Sequence, residues 1–225
     1  MNKKLIIFDF DDTLTDNSKR DLMSFEHIIK KFNLLSIDHN EFIKLRKNSF
    51  TSEYIIKKLM DSDDDKLYKK YSEERLIFLE KNLSYKKYVK LKPNTLEILE
   101  KLKSDNYLLA LNSIQSNHNN FLNIIKSFKL ENYFEEIATQ KLIPSNESYE
   151  SRFNTKIILY NKILNKLKFK NQKGILVIGN LFSDILSAKS LNMKYVMIKG
   201  SFNFDNSQNY ECNKITELQE IYKFI

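Results

Sequence analysis

The stretch Leu5-Ile6-Ile7-Phe8-Asp9-Phe10-Asp11-Asp12-Thr13-Leu14 decides how this chain is read. Its leading apolar run is too short for a helix and suits a strand buried on both faces of a parallel sheet. Carboxylates follow at once, at Asp9, Asp11 and Asp12. Side chains of one sign so close together repel, so their position at the end of a buried strand calls for positive charge between them. A hard cation with oxygen ligands supplies it most simply. A solvated acidic turn is the plain alternative.

Outward from this stretch the pattern turns helical and stays so for about seventy-five residues. Leu22, Phe25, Ile29 and Phe32 recur at helical spacing, and 51–60 and 66–83 read the same way, the latter through Leu67, Tyr71, Phe78 and Leu79. Asp61 and Asp63 to Asp65 begin the last of these helices, where negative charge complements the helix dipole; a second metal site is the sharper reading of that run. Lys92-Pro93-Asn94-Thr95 marks a boundary, because proline fits the first turn of a new helix and disfavours helix before it.

Beyond it, helices and strands alternate. Leu96, Leu99 and Leu102 share a helix, 107–111 is a buried strand closing in Asn112-Ser113, and Phe121, Leu122, Ile125 and Phe128 share the next helix. A short strand is expected over 133–138 and a loop at Pro144-Ser145-Asn146. Then come a helix over 155–168 with Ile157, Tyr160, Leu164 and Leu167 inward, a strand over 174–179, a helix over 184–191, a strand over 195–198 and a closing helix over 216–225. Such alternation predicts an α/β fold, a doubly wound parallel sheet with right-handed crossovers. Ligands bind beyond the carboxyl ends of its strands, where Asp9, Ser113 and Gly179 all fall.

Composition narrows the class. A chain of 225 residues, 42% hydrophobic with 16 Phe and 12 Tyr, can bury a sizeable core, as one large domain or a core with an insert. One cysteine, Cys212, leaves no internal disulfide and fits a reducing compartment. The net charge of +8 reads as lysines scattered over a solvated surface, so no nucleic-acid partner is expected. Asp9 interrupts the apolar run after Lys3 and Lys4 too early for a signal peptide, and no segment is long enough to span a bilayer. The expectation is a cytoplasmic protein without a membrane partner; its oligomeric state is left open.

The segment Asp9-Phe10-Asp11-Asp12-Thr13 resembles the first motif, D-x-D-x-T, of the haloacid dehalogenase superfamily of hydrolases. Leu91 to Leu111 is similar to the approach to its second motif. Gly179-Asn180 through Asp184 is similar to the fourth, usually G-D-x-x-x-D. The resemblance implies a Rossmann-like core, 1–16 with 91–225, and a small all-helical cap, 17–90, inserted between the first two motifs. It implies a Mg²⁺-dependent phosphatase acting on a small phosphorylated metabolite. Asp9 would be the nucleophile and Asp11 the general acid and base. Ser113, or its neighbour Asn112, would bind the phosphate.

The third-motif cation would be Lys156, with Lys141, Arg152 and Lys162 as the other candidates. Asp9, Asp11, Asn180 and Asp184 would hold the metal. Asn180 departs from the pattern, since an amide oxygen brings no charge where the family has a carboxylate. From the cap, Arg46, Lys47 and Ser49 would face substrate. A dehalogenase, a phosphosugar mutase of the same fold and a non-catalytic binding protein weakened at the metal site are the alternatives; Asp11 speaks against the first.

Overall fold

The computed structural model describes residues 4–48, 51–115, 117–142, 149–203, 205 and 211–225. The chain divides into two compact units, Met1–Asp16 with Leu91–Gly200 and Phe204–Ile225, and Asn17–Lys90 with Ser201–Asn203. Ser49 and the expected loop at Pro144-Ser145-Asn146 lie outside the described residues.

The first unit opens with β1 (Leu5–Asp9) and reaches β2 (Thr15–Asp16), where the chain leaves it. The second unit carries α1 (Ser18–Phe32), α2 (His39–Lys47), α3 (Ser52–Met60), α4 (Asp65–Glu80) and α5 (Asn82–Tyr88). The chain returns through β3 (Lys90–Leu91) to α6 (Thr95–Ser104), β4 (Leu108–Ile114), α7 (His118–Ser127), β5 (Glu136–Gln140) and α8 (Tyr149–Leu167). It then runs through β6 (Ile175–Gly179), α9 (Phe182–Ser190), β7 (Lys194–Ile198), β8 (Lys214–Ile215) and a final 3₁₀ turn over Leu218–Lys223.

The main sheet has the order β5-β4-β1-β6-β7-β8, with every pairing parallel. Every residue of β1 is buried, as its apolar run requires. Alternate residues serve the two faces: Leu5 and Ile7 join Ala110, Val177, Leu159 and Ile163 in one core layer beneath α8 and α9. On the other face Phe8 meets Phe134 edge-on. From β1 the winding runs outwards through β4 and β5, then returns to β1's other side with β6. The strand order therefore reverses beside β1, and the crevice beyond its carboxyl end is where such a fold receives ligands. Among the described residues no helix is long and apolar enough to cross a membrane.

Several local expectations shift. The strand expected over 133–138 is Glu136–Gln140, and the closing helix over 216–225 is the 3₁₀ turn. The helix expected to begin at 155 begins at Tyr149; its buried positions are Ser151, Thr155, Lys156, Leu159, Tyr160, Ile163 and Leu164, with Ile157 only half-buried. Leu67 and Leu122, read on the apolar faces of their helices, are exposed, as is Leu96.

Among the described residues eight non-glycine positions have positive φ, six of them asparagine or aspartate and the other two Lys129 and Lys168; none of the three glycines does. Asn and Asp tolerate the left-handed region better than other side chains. Lys129 does not, yet it closes α7 in a Schellman arrangement, with Leu130 N–H donating to Ile125 O at 3.1 Å and Lys129 N–H to Lys126 O at 3.0 Å.

In the helical unit Phe25, Ile28, Phe42, Ile55, Ile56 and Leu59 form the core. Asp64 caps α4 through Lys66 N–H and Leu67 N–H, so the acidic run before that helix serves as a cap. A polar cluster lies in this unit. Asp21 accepts from Arg46 Nε at 2.7 Å and Arg75 Nη2 at 2.5 Å, and both guanidinium groups lie over the Phe25 ring. Burial raises the Asp21 carboxyl, but Arg46 and Arg75 outweigh it and hold it below the usual carboxylate range.

Two outcomes are expected. Lys129→Gly raises stability by about 0.5–1 kcal/mol in urea denaturation, because glycine relieves the left-handed strain. Asp21→Asn costs about 3 kcal/mol at neutral pH by leaving two arginines without their carboxylate. Since Asp21 titrates lower folded than unfolded, its stabilisation is present above the ordinary aspartate value of 3.8 and is lost as pH falls through the folded value. The gap between wild type and variant therefore narrows below that pH.

Candidate active site

Asp9 ends the central strand, in register with Asn112 of β4. The backbone then turns sharply: Asp12 has φ 60°, and Thr13 and Leu14 N–H both donate to Phe10 O. Phe10 is fully buried, edge-on to Phe121 and Phe128 at 5.1 and 6.0 Å, and it anchors that turn. Fixing Phe10 in the core sets the residues on either side of it, Asp9 and Asp11, at the strand's rim.

The Asp9 carboxylate has a partner at each oxygen. Lys156 Nζ donates to Oδ1 at 2.6 Å, and Thr13 Oγ1 donates to Oδ2 at 3.0 Å. Lys156 comes from the buried face of α8, where an ammonium is tolerated only if carboxylates and dipoles surround it. Its Nζ also donates to Asn112 Oδ1 at 2.7 Å and forms an ion pair with Asp184 Oδ1 at 2.6 Å. Asn112 is itself fixed, because its Nδ2 donates to Phe8 O at 2.9 Å.

Asp184 arrives from the first turn of α9. Its Oδ2 accepts from Leu181 N–H at 3.2 Å, and Tyr160 O–H donates to its main-chain oxygen at 3.2 Å. Gly179 explains how that turn passes so close to β6. A Cβ built on it would lie 2.4 Å from both Cβ and Cγ of Asp184.

The electrostatics follow from the count of charges. Asp9 and Asp184 share the Lys156 ammonium, and Asp11 adds a further negative charge near Asp9. Burial foremost, then Asp184 and Asp11, push the Asp9 carboxyl up to about 7 against the pull of Lys156. Burial works against the charge on Lys156, yet Asp184 and Asp9 outweigh it and hold its pKa above the ordinary value. Burial, with Asp184 and Asp9 adding to it, raises Tyr160 well above its usual range, so it remains a neutral donor.

The remaining expected residues fall as follows. Asn180 Oδ1 is 3.4 Å from Thr13 Oγ1, so Thr13 links it to Asp9. Ser113 is buried, with Gln115 Nε2 at 3.2 Å from its hydroxyl and at 3.2 Å from Asp11 Oδ2. Lys162 turns instead to Thr139 O and Gln140 Oε1. Arg46 belongs to the helical unit, where its guanidinium donates to Asp21 and Ser52.

The sequence reading did not single out Gln115 or Tyr160, nor did it assign a task to Thr13. Thr13 stood in the first motif, and Tyr160 lay four residues beyond Lys156, one helical turn away.

Among the described residues no group of three or more His, Cys, Asp or Glu side chains is arranged to hold a metal ion. The shortage of positive charge around Asp9 nevertheless fits a cation. The oxygens that could hold it are the Asp9 carboxylate and the Asn180 amide, which Thr13 links, a hard donor set poor in charge.

Residues 6–198 match the family model of the haloacid dehalogenase-like hydrolases. Among solved structures, the chain is similar to a candidate phosphatase of Clostridium difficile (TM-score 0.75, 18% identity, 99% of this chain and 98% of that one). It is similar also to a predicted phosphoglycolate phosphatase of Haemophilus somnus (0.70, 20%, 99% and 98%). A candidate beta-phosphoglucomutase of Thermotoga maritima shares the fold too (0.67, 16%, 99% and 100%). No curated protein matches the sequence.

Two substitutions test this geometry. Gly179→Ala is expected to cost about 1–3 kcal/mol, read by chemical denaturation, since the α9 turn must move to admit the methyl group. Lys156→Met strips the buried carboxylates of their cation and costs about 3–5 kcal/mol at pH 8. That cost shrinks as pH falls through about 7, because the Asp9 carboxyl then takes up a proton and loses the charge that made the loss expensive.

Proposed function

Because the chain belongs to the haloacid dehalogenase-like hydrolases, we propose that it hydrolyses a small phosphomonoester through a phosphorylated Asp9. The observation that carries this reading is the buried Lys156 ammonium, 2.6 Å from Asp9 Oδ1 at the carboxyl end of the central strand. A carboxylate repels a dianionic phosphoryl group unless positive charge lies beside both, and Lys156 provides it.

An Asp9 carboxylate oxygen attacks phosphorus, and the bond to the leaving oxygen breaks as Asp11 gives that oxygen its proton. Water then attacks the acyl phosphate and passes its proton to Asp11. The bond from phosphorus to Asp9 breaks, phosphate departs, and both carboxyl groups are restored. Gln115 holds Asp11 for this double duty, and Asn112 keeps Lys156 aimed at Asp9. Ser113 stands next to Asn112 on β4 and holds Gln115 in turn.

Mg²⁺ would be held by the Asp9 carboxylate, the Asp11 main-chain carbonyl and Asn180, with Asp184 joining directly or through water. When bound, it supplies further positive charge to the phosphoryl oxygens. With an amide in place of a carboxylate, its affinity is expected to be low. The helical unit is assigned as the cap that selects the phosphorylated metabolite. Arg46 is not counted among its substrate contacts, because Asp21 and Ser52 hold its guanidinium.

Asn180 favours a second reading, a protein that binds a phosphorylated ligand without turning it over. Hydrolysis of p-nitrophenyl phosphate decides between them. Mg²⁺-stimulated turnover that Asp9→Asn abolishes, and whose Mg²⁺ requirement falls several-fold in Asn180→Asp, is the outcome expected. Binding of inorganic phosphate to a wild-type protein with no turnover on any phosphomonoester would establish the binder instead.

A further inference from the structure

The net charge of this protein is not evenly spread. Between Arg152 and Lys194 nine residues are basic and one, Asp184, is acidic, so this segment alone carries the +8 of the whole chain and the rest sums to zero. Lys156 and Asp184 neutralise each other inside the candidate active site. Eight basic side chains remain, and this uneven distribution departs from the scattered pattern read in the sequence.

Part of that charge gathers in one place. A cleft of about 630 Å³ is lined by Lys170, Lys173 and Lys189 together with the side-chain amides of Asn171, Gln172 and Asn192. Lys166, in the last turn of α8, and Lys168, just beyond that helix, precede it in the chain and are exposed. The 3₁₀ turn Gln172–Gly174 leads directly into β6 at Ile175. The cleft thus sits at the amino end of the strands, opposite the rim that carries Asp9 and Gly179.

Helix dipoles do not account for this concentration. Both α8 and α9 end in this region, and each carboxyl end carries about half a negative charge, roughly one in total against at least three lysines in the cleft itself. Among the described residues no ion pair engages Lys170 or Lys173.

We propose that this cleft binds the phosphate backbone of a single-stranded nucleic acid, independently of sequence. Lysine ammoniums answer phosphate charge as point charges, and the amides add neutral hydrogen-bond donors. No aromatic side chain lines the cleft to stack on bases, so the contact reads backbone and not sequence. A membrane surface fits less well. None of the exposed large apolar side chains, Leu35, Tyr54, Leu67, Ile77, Leu83, Leu96 and Leu122, lies in this segment to enter the acyl boundary.

Fluorescence anisotropy with a labelled single-stranded oligonucleotide of about 16 nucleotides tests the proposal. Three lysine–phosphate contacts on a single strand give a logarithmic salt slope of about −2, a roughly twentyfold loss of affinity between 50 and 200 mM salt. The triple variant Lys170→Gln, Lys173→Gln, Lys189→Gln is expected to lose that slope and to weaken binding at least tenfold at the lower salt. An unchanged circular-dichroism melt shows that it folds.

Lys44→Glu, Lys69→Glu, Lys86→Glu, a larger change of charge in the helical unit, should leave binding within about twofold. Equal losses in the two variants, no binding by the wild type at low salt, or binding to phosphatidylserine vesicles without binding to the oligonucleotide would each overturn the proposal.

Discussion

The buried Lys156 ammonium is the contact on which the rim of the sheet depends. Its three partners, on Asp9, Asn112 and Asp184, come from β1, β4 and the start of α9, and it lies within 2.7 Å of each. An ammonium in that position is stable only because carboxylates accept it, and the carboxylates are stable there only because it is present. The neighbouring details serve this one arrangement. Asn112 is pinned to the Phe8 carbonyl, Tyr160 holds the main chain at Asp184, and the absence of a Cβ at Gly179 lets Asp184 approach at all.

Burial raises the Asp9 carboxyl to about 7, and Asp184 and Asp11 add to it, so the Lys156 ammonium does not fully offset them. A fold optimised for stability alone would not keep that imbalance. It becomes useful when a further cation or a phosphoryl group with its counterion must enter, because the site is already arranged around positive charge still to come. Asn180 moderates that demand by offering an oxygen without a charge.

The helical unit solves a similar problem in a different way. There Asp21 receives two guanidinium groups, Arg46 and Arg75, both resting on the Phe25 ring. Positive charge is in excess instead of deficit, and Asp21 is held low instead of high. Burial pushes both carboxyls up; two arginines overcome it at Asp21, whereas the Lys156 ammonium does not at Asp9.

The amino-acid sequence by itself determined the parallel α/β core, because apolar runs such as Leu5–Phe8 and Ile175–Ile178 can be buried on both faces only in such a sheet. It also marked Asp9 and Gly179 as strand ends, since a buried strand cannot continue into charge or into a helix turn. It left the third-motif cation among Lys141, Arg152, Lys156 and Lys162, because the polar stretch before residue 155 carries no periodicity to show that α8 starts at Tyr149. With the start misplaced, Ile157 took the inward position that belongs to Lys156, and a buried lysine leaves no hydrophobic signal. Short edge elements such as β8 were not legible either, as their strand character comes from the neighbour they pair with. What only the tertiary structure decided was which distant polar groups meet: Gln115 with Asp11, Tyr160 with Asp184, and Lys156 with both acids. Such meetings are set by strand register and helix rotation, and neither is written in any local run of residues.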